Sequence, residues 1–106
     1  MSIPEISVQT LKKLLDEKTD IFLLDVRNPE EHAFCNIGGH LIPLPELPTR
    51  LHEVDAGKNI IVYCRSGGRS AHAVQFLMQN SFKNVSNLSG GVIAWAREID
   101  SKLPSY

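Results

Sequence analysis

The 106-residue sequence predicts an α/β fold with a mainly parallel sheet, and three observations lead there. The runs "DIFLLDV" (residues 20–26) and "NIIVYC" (59–64) are continuously apolar and too short for helices, as suits strands covered on both faces. Segments with helical spacing of apolar residues alternate with those runs. Turn signals such as "DAGK" and "SGG" mark the changes between them.

Taken in order, Ser7 can cap a helix starting at Val8, with Val8, Leu11, Leu14 and Leu15 inward, Lys12, Lys13, Asp16 and Glu17 outward, and an end near Lys18. A strand over residues 20–26 follows. "NPEEH" (28–32) reads as a capped short helical turn with Pro29 at its first position. "LIPLPEL" and the next residue hold three of the six prolines, so residues 41–48 predict a connection rather than a central strand. A helix over residues 48–54 would turn Leu51 and Val54 inward, and 55–58 would be the turn after it. The strand at 59–64 runs through a tight loop into a helix over 70–80, with Ala71, Val74, Phe76, Leu77 and Met78 on its apolar face. "NVSNL" (84–88) is another short strand, and a closing helix over 92–99 puts Val92, Trp95, Ala96 and Ile99 on one side.

Composition narrows the function classes. The length fits one domain over residues 1–106, and 42% apolar with 22% charged residues is ordinary for a soluble globular chain, expected here as a monomer. A net charge of −1 provides no global basic field for nucleic acid or an anionic membrane. The opening residues lack a basic start and an apolar run, and no stretch approaches the ~20 apolar residues of a membrane span, so a cytoplasmic location is expected. Cys35 and Cys64 form no CxxC pair, and His32, His40, His52 and His72 are scattered without ligand spacing, so no metal and no cofactor is expected. Cys35 reads as a buried structural thiol.

The chemistry concentrates in "CRSGGRS", Cys64 to Ser70. In a parallel α/β sheet, ligands bind at the loop leaving a strand's C-terminal end, where the next helix aims its unpaired amides. Gly67 and Gly68 can take positive φ and turn successive N–H groups toward the sulfur. Arg65 and Arg69 add charge and forked donors suited to an oxyanion, and Ser66 and Ser70 add hydroxyls. Cys64 is therefore the candidate nucleophile, with a thiol that ionises easily. Arg27, at the end of the strand over 20–26, is an outer site candidate, and its neighbour Asp25 is mainly structural.

"LLDVRNPEEH" (23–32), "CRSGGRSAHAV" (64–74) and "LSGGVIAWAREI" (88–99) resemble, in order and spacing, the three signature stretches of the rhodanese, or sulfurtransferase, domain. The resemblance covers nearly the whole chain. It implies a three-layer α/β/α fold with a five-strand, mainly parallel sheet in the order 1-5-4-2-3 and a short first strand near Ile6. It also implies that Cys64 takes a sulfane sulfur from a donor such as thiosulfate as a persulfide and passes it to a thiol, cyanide or another acceptor. Where the family commonly has "GHIPGA", this chain has "CNIGGH" (35–40), with Asn36 at the usual histidine and His40 at a usual small residue. The segment 35–53 and the terminal "LPSY" are similar to the rhodanese domain of adenylyltransferases acting on ubiquitin-like sulfur carriers, which makes such a carrier a candidate acceptor. The alternatives are a cysteine phosphatase or arsenate reductase on this fold, or a non-catalytic binding module. Cysteine phosphatases use C-x5-R, whereas four residues separate Cys64 from Arg69, giving a narrower cup without an identifiable aspartic general acid.

Overall fold

Alternation along the two long apolar runs divides the core. In the computed structural model, which describes residues 2–104 and Tyr106, β2 (Ile21–Asp25) and β4 (Asn59–Tyr63) lie side by side in parallel, Leu24 opposite Val62. Leu24, Val26, Ile60, Val62 and Cys64 pack into one core cluster, while Leu23, Ile61 and Tyr63 pack into a second on the other face. The first cluster is closed by α3 (Gly68–Gln79) through Ala73, Val74 and Leu77. The second is closed by Val8 and Leu11 of α1 (Val8–Asp16) and by Val92, Ala94 and Trp95 of α4 (Gly91–Glu98). The result is helices on both faces of the sheet.

β1 (Glu5–Ile6), β3 (His40–Leu41) and β5 (Val85–Leu88) complete five strands in the order β1-β5-β4-β2-β3, every neighbouring pair parallel. This order agrees with the one implied by the family resemblance. All strands point the same way, so the loops after β2, β4 and β5 leave the sheet at one edge. The central strand β4 delivers Cys64 to that edge.

Local signals set most boundaries. The Ser7 side chain accepts the Thr10 amide and starts α1. Asn28 and Glu31 form a reciprocal capping box with Pro29 in the first turn of α2 (Pro29–Phe34). Leu15, expected inward, is 37% exposed, because the nine-residue α1 rests on the sheet along Val8, Leu11 and Leu14. Met78 is likewise exposed, and Ala73 takes the inward place on α3. The helix expected over 48–54 is instead two 3-10 turns, Leu44–Thr49 and Leu51–Glu53. Pro43, Pro45 and Pro48 have no N–H to give, which rules out an α-helical ladder there. Just before them, within the expected connection, β3 pairs for two residues at the sheet edge, a position that tolerates following prolines. No helix among the described residues is long and apolar enough to cross a membrane.

Candidate active site

Cys64 is the first residue after β4 and only 1% exposed. Its sulfur receives the Gly67 amide at 3.1 Å and the Ser70 amide at 3.4 Å, and lies 3.3 Å from Ser70 Oγ. Burial pushes the thiol up, but the Ser70 hydroxyl and the amides of Ser70, Gly67 and Ser66 outweigh it, leaving Cys64 below the usual thiol range. The loop can aim its amides at sulfur because its carbonyls have other partners. The Val92 and Ile93 amides, in the first turn of α4, donate to the carbonyls of Cys64 and Arg65, each at 3.0 Å. One helix start therefore addresses the sulfur, and the other holds the backbone behind it.

The two glycines divide the work unequally. Gly67 has φ of +117° and precedes α3, as a loop turning inward requires. Gly68 shows no positive φ and is the first residue of α3, so the expectation that both glycines turn the loop is corrected to Gly67 alone. A side chain at Gly68 would meet open space.

The three candidate arginines all lie near this edge, and the chain itself answers each one. Arg69 makes a two-point ion pair with Glu31, at 2.7 and 2.9 Å. Arg65 donates from Nε and Nη2 to the main-chain oxygen of Tyr106. Arg27 is fully buried, and its guanidinium donates to both Asp25 oxygens, the Cys35 carbonyl, the Glu31 carbonyl and the Tyr106 hydroxyl. The reading of Arg27 as an outer substrate contact is therefore corrected. Its forked donors are engaged within the chain, and it acts as a bolt joining β2, α2 and Tyr106. Burial works against the Arg27 charge, but the hydrogen bonds it donates to Asp25 and Tyr106 hold it firmly protonated. Asp25, expected as structural, also meets His32 Nδ1 at 2.8 Å.

Glu31, Tyr106 and Asn87 join the site although none was singled out as a site residue. Glu31 accepts from Arg69, from the Asn28 amide and from the Tyr106 hydroxyl, and the Arg69 guanidinium above all holds its carboxyl down at about 2. Its sequence signal was the capping box, which explains its backbone role and hides the other. Tyr106 lies over Arg65 and Arg27 and meets Phe34 edge-on. Asn87, on β5, contacts Ser70 and the Gly67 carbonyl. Asn36 and His40, the two departures from the family pattern, turn to local partners: Asn36 accepts the Gly38 amide, and His40 lies 2.6 Å from Glu53. Cys35 is 5% exposed and packs in the core cluster on the sheet face opposite that of Cys64.

Comparison with known proteins bears on what this arrangement does. The family described as "Rhodanese-like domain" matches residues 7–98. The chain is 40% identical over 96 residues to a "Sulfurtransferase" of Allochromatium vinosum, covering 90% of each chain. It is 35% identical to "Adenylyltransferase and sulfurtransferase MOCS3-2" of Zea mays, covering 95% of this chain but 23% of that longer protein. Among solved structures, a rhodanese-like domain protein from Staphylococcus aureus superposes with a TM-score of 0.83 at 30% identity, covering 98% of this chain and 99% of that one.

Proposed function

This chain belongs to the rhodanese-like domain family, and from that premise we propose that it is a sulfurtransferase working through a persulfide on Cys64. The observation that carries this reading is the sulfur's setting: a buried thiol with amides of the loop and of a helix start aimed at it. The thiolate attacks the outer sulfur of a sulfane donor such as thiosulfate. A sulfur–sulfur bond forms on Cys64, the donor's own sulfur–sulfur bond breaks, and sulfite leaves with the bonding pair. The negative charge then resides on the outer persulfide sulfur, which the amides of Ser66, Gly67, Gly68, Arg69 and Ser70 can cradle. A nucleophilic acceptor, such as a thiolate or cyanide, attacks that outer sulfur and releases the Cys64 thiolate.

Arg65 binds the anionic donor in this scheme, exchanging the Tyr106 main-chain oxygen for a donor oxygen. Arg69 adds positive charge beside the loop while paired with Glu31. A ubiquitin-like sulfur carrier is a further acceptor class, suggested by the likeness to the maize adenylyltransferase and sulfurtransferase. The test is intact mass after incubation with thiosulfate. The wild-type protein gains one sulfur atom, loses it on addition of a thiol, and Cys64→Ser gains none. Hydrolysis of aryl phosphates or reduction of arsenate without a detectable persulfide would overturn the proposal in favour of phosphatase or reductase chemistry.

A further inference from the structure

A hydrogen-bonded line of three side chains runs from the sulfur to the sheet edge. Ser70 Oγ lies 3.3 Å from Cys64 Sγ and donates to Asn87 Oδ1 at 2.5 Å. On its other side Asn87 Nδ2 donates to the Gly67 carbonyl at 3.3 Å and to Glu5 Oε2 at 3.2 Å. Ser70 is fully buried and Asn87 is 2% exposed, so water does not compete for these atoms.

The geometry fixes which way the Asn87 amide points. Both groups on its outer side, a carbonyl and a carboxylate, only accept, so Nδ2 faces them and Oδ1 faces Ser70. A serine hydroxyl has one proton, and two acceptors now claim it. With Cys64 as a thiol, the arrangement closes: S–H donates to Ser70 Oγ, and Ser70 O–H donates to Asn87. Once Cys64 ionises, the sulfur can only accept. Ser70 must then rotate its proton to the sulfur, leaving Asn87 Oδ1 buried without a donor, or leave the thiolate with one donor fewer.

We infer that Asn87 is a positioning residue that acts through Ser70, competing with the Cys64 sulfur for the serine proton and so tuning how strongly the thiolate is held. This rests on Cys64 being the reacting group and deepens that reading. In the free thiolate the competition keeps the sulfur less fully hydrogen-bonded and more nucleophilic. In the persulfide the inner sulfur is uncharged and a poor acceptor, so the serine proton returns to Asn87 without loss. The Ser70 hydroxyl is thus a two-position rotor that distinguishes the loaded from the unloaded site. The other charged groups around this line are Glu5 on β1, Asp25 and Arg27 at the end of β2, Arg65 in the loop, and Arg69 on α3 with its partner Glu31 on α2. None of them is substituted in the variants used below, and of these groups only Glu5 loses a hydrogen bond from Asn87.

The rate of Cys64 alkylation by iodoacetamide against pH reads the ionisation directly and does not require sulfur transfer. A failure here is therefore distinguishable from failure of the persulfide mechanism. Asn87→Leu and Asn87→Ala remove the competitor, and each should move the midpoint down by about one pH unit. Ser70→Ala should move it up by a similar amount, and adding Asn87→Leu to Ser70→Ala should change nothing further. If Asn87 only braced the Gly67 carbonyl, its loss would loosen the loop and move the midpoint up, in both serine backgrounds. An upward move, no move, or an equal move in both backgrounds overturns the inference. The wild-type protein provides a measurement that no folding defect can obscure: the side-chain carbonyl carbon resonance of Asn87 should titrate with the Cys64 midpoint and stop doing so in Ser70→Ala. A wild-type resonance that ignores that midpoint is equally fatal.

Discussion

Glu31 neutralises a charge beside the reactive thiol that an exposed loop usually leaves to solvent. One of its oxygens takes Arg69 and the Asn28 amide, and the other takes Arg69 and the Tyr106 hydroxyl. A carboxyl held at about 2 in the fold, against an ordinary value of 4.5, favours folding while it is ionised. The contribution is complete above the ordinary value and drains away as pH falls from about 4.5 toward 2. Glu31→Gln keeps a residue able to close the capping box and removes the charge together with one acceptor oxygen. Thermal or denaturant unfolding at pH 6 should show it less stable by about 1–2 kcal/mol, discounted because Arg69 is partly solvated. The gap between variant and wild type should close as both are taken to pH 2. A gap that persists there would mean that packing, not charge, carries the effect.

At the element scale the loop between β4 and α3 is shaped from both ends. Gly67→Ala places a side chain at φ of +117°, a strain of about 1–2 kcal/mol located beneath the sulfur. Gly68→Ala fills open space at the first position of α3 and replaces a poor helix former, so it should stabilise by about 0.5–1 kcal/mol. Sulfur transfer should fall at least tenfold in the first variant and stay near wild type in the second, read as initial rates beside unfolding curves. Equal losses in both would mean that glycine flexibility, not the single left-handed turn, sets the loop.

Which elements were legible in the sequence follows from the same physics. The strands around Leu24 and Val62, and the helices carrying Val8 and Trp95, announce themselves because burial repeats at a fixed period. Residues 41–54 do not: their prolines forbid regular structure without specifying what replaces it, so β3 entered the expected connection and 3-10 turns took the place of the expected helix. Within the site, Cys64 and its loop were legible from local chemistry alone. Asn87 was not, since one polar residue in a four-residue strand signals nothing until β5 is set beside the loop. Arg27 misled because an arginine at a strand end reads as a ligand contact until Asp25, Cys35 and Tyr106 are seen around it.

Across the molecule, Tyr106 rests on an edge built from residues far away in sequence. Tyr106 sets its main-chain oxygen against Arg65 and its hydroxyl between Arg27 and Glu31, and meets Phe34, itself 54% exposed, edge to face. Arg65 in this state answers the chain rather than a donor. Removing residues 103–106 should free that guanidinium and favour anionic reagents over neutral ones at Cys64. The ratio of alkylation rates for iodoacetate over iodoacetamide should rise several-fold, and Arg65→Ala in the shortened chain should restore the wild-type ratio. A ratio unchanged by the shortening would show that the segment screens no charge from the sulfur.

The sheet also separates the two thiols. Cys64 packs on one face and Cys35 on the other, whereas a disulfide requires Cα atoms within roughly 7 Å and Cβ atoms turned toward each other. Under oxidative stress, then, the folded chain has no second thiol of its own with which to trap a sulfenic acid on Cys64. Rescue from further oxidation falls to small thiols from solution, and in their absence the route to the irreversible acids lies open. Peroxide inactivation should then depend on the surrounding thiol pool and run at the same rate in Cys35→Ser as in the wild type; faster inactivation of the variant would show that Cys35 reaches the sulfur.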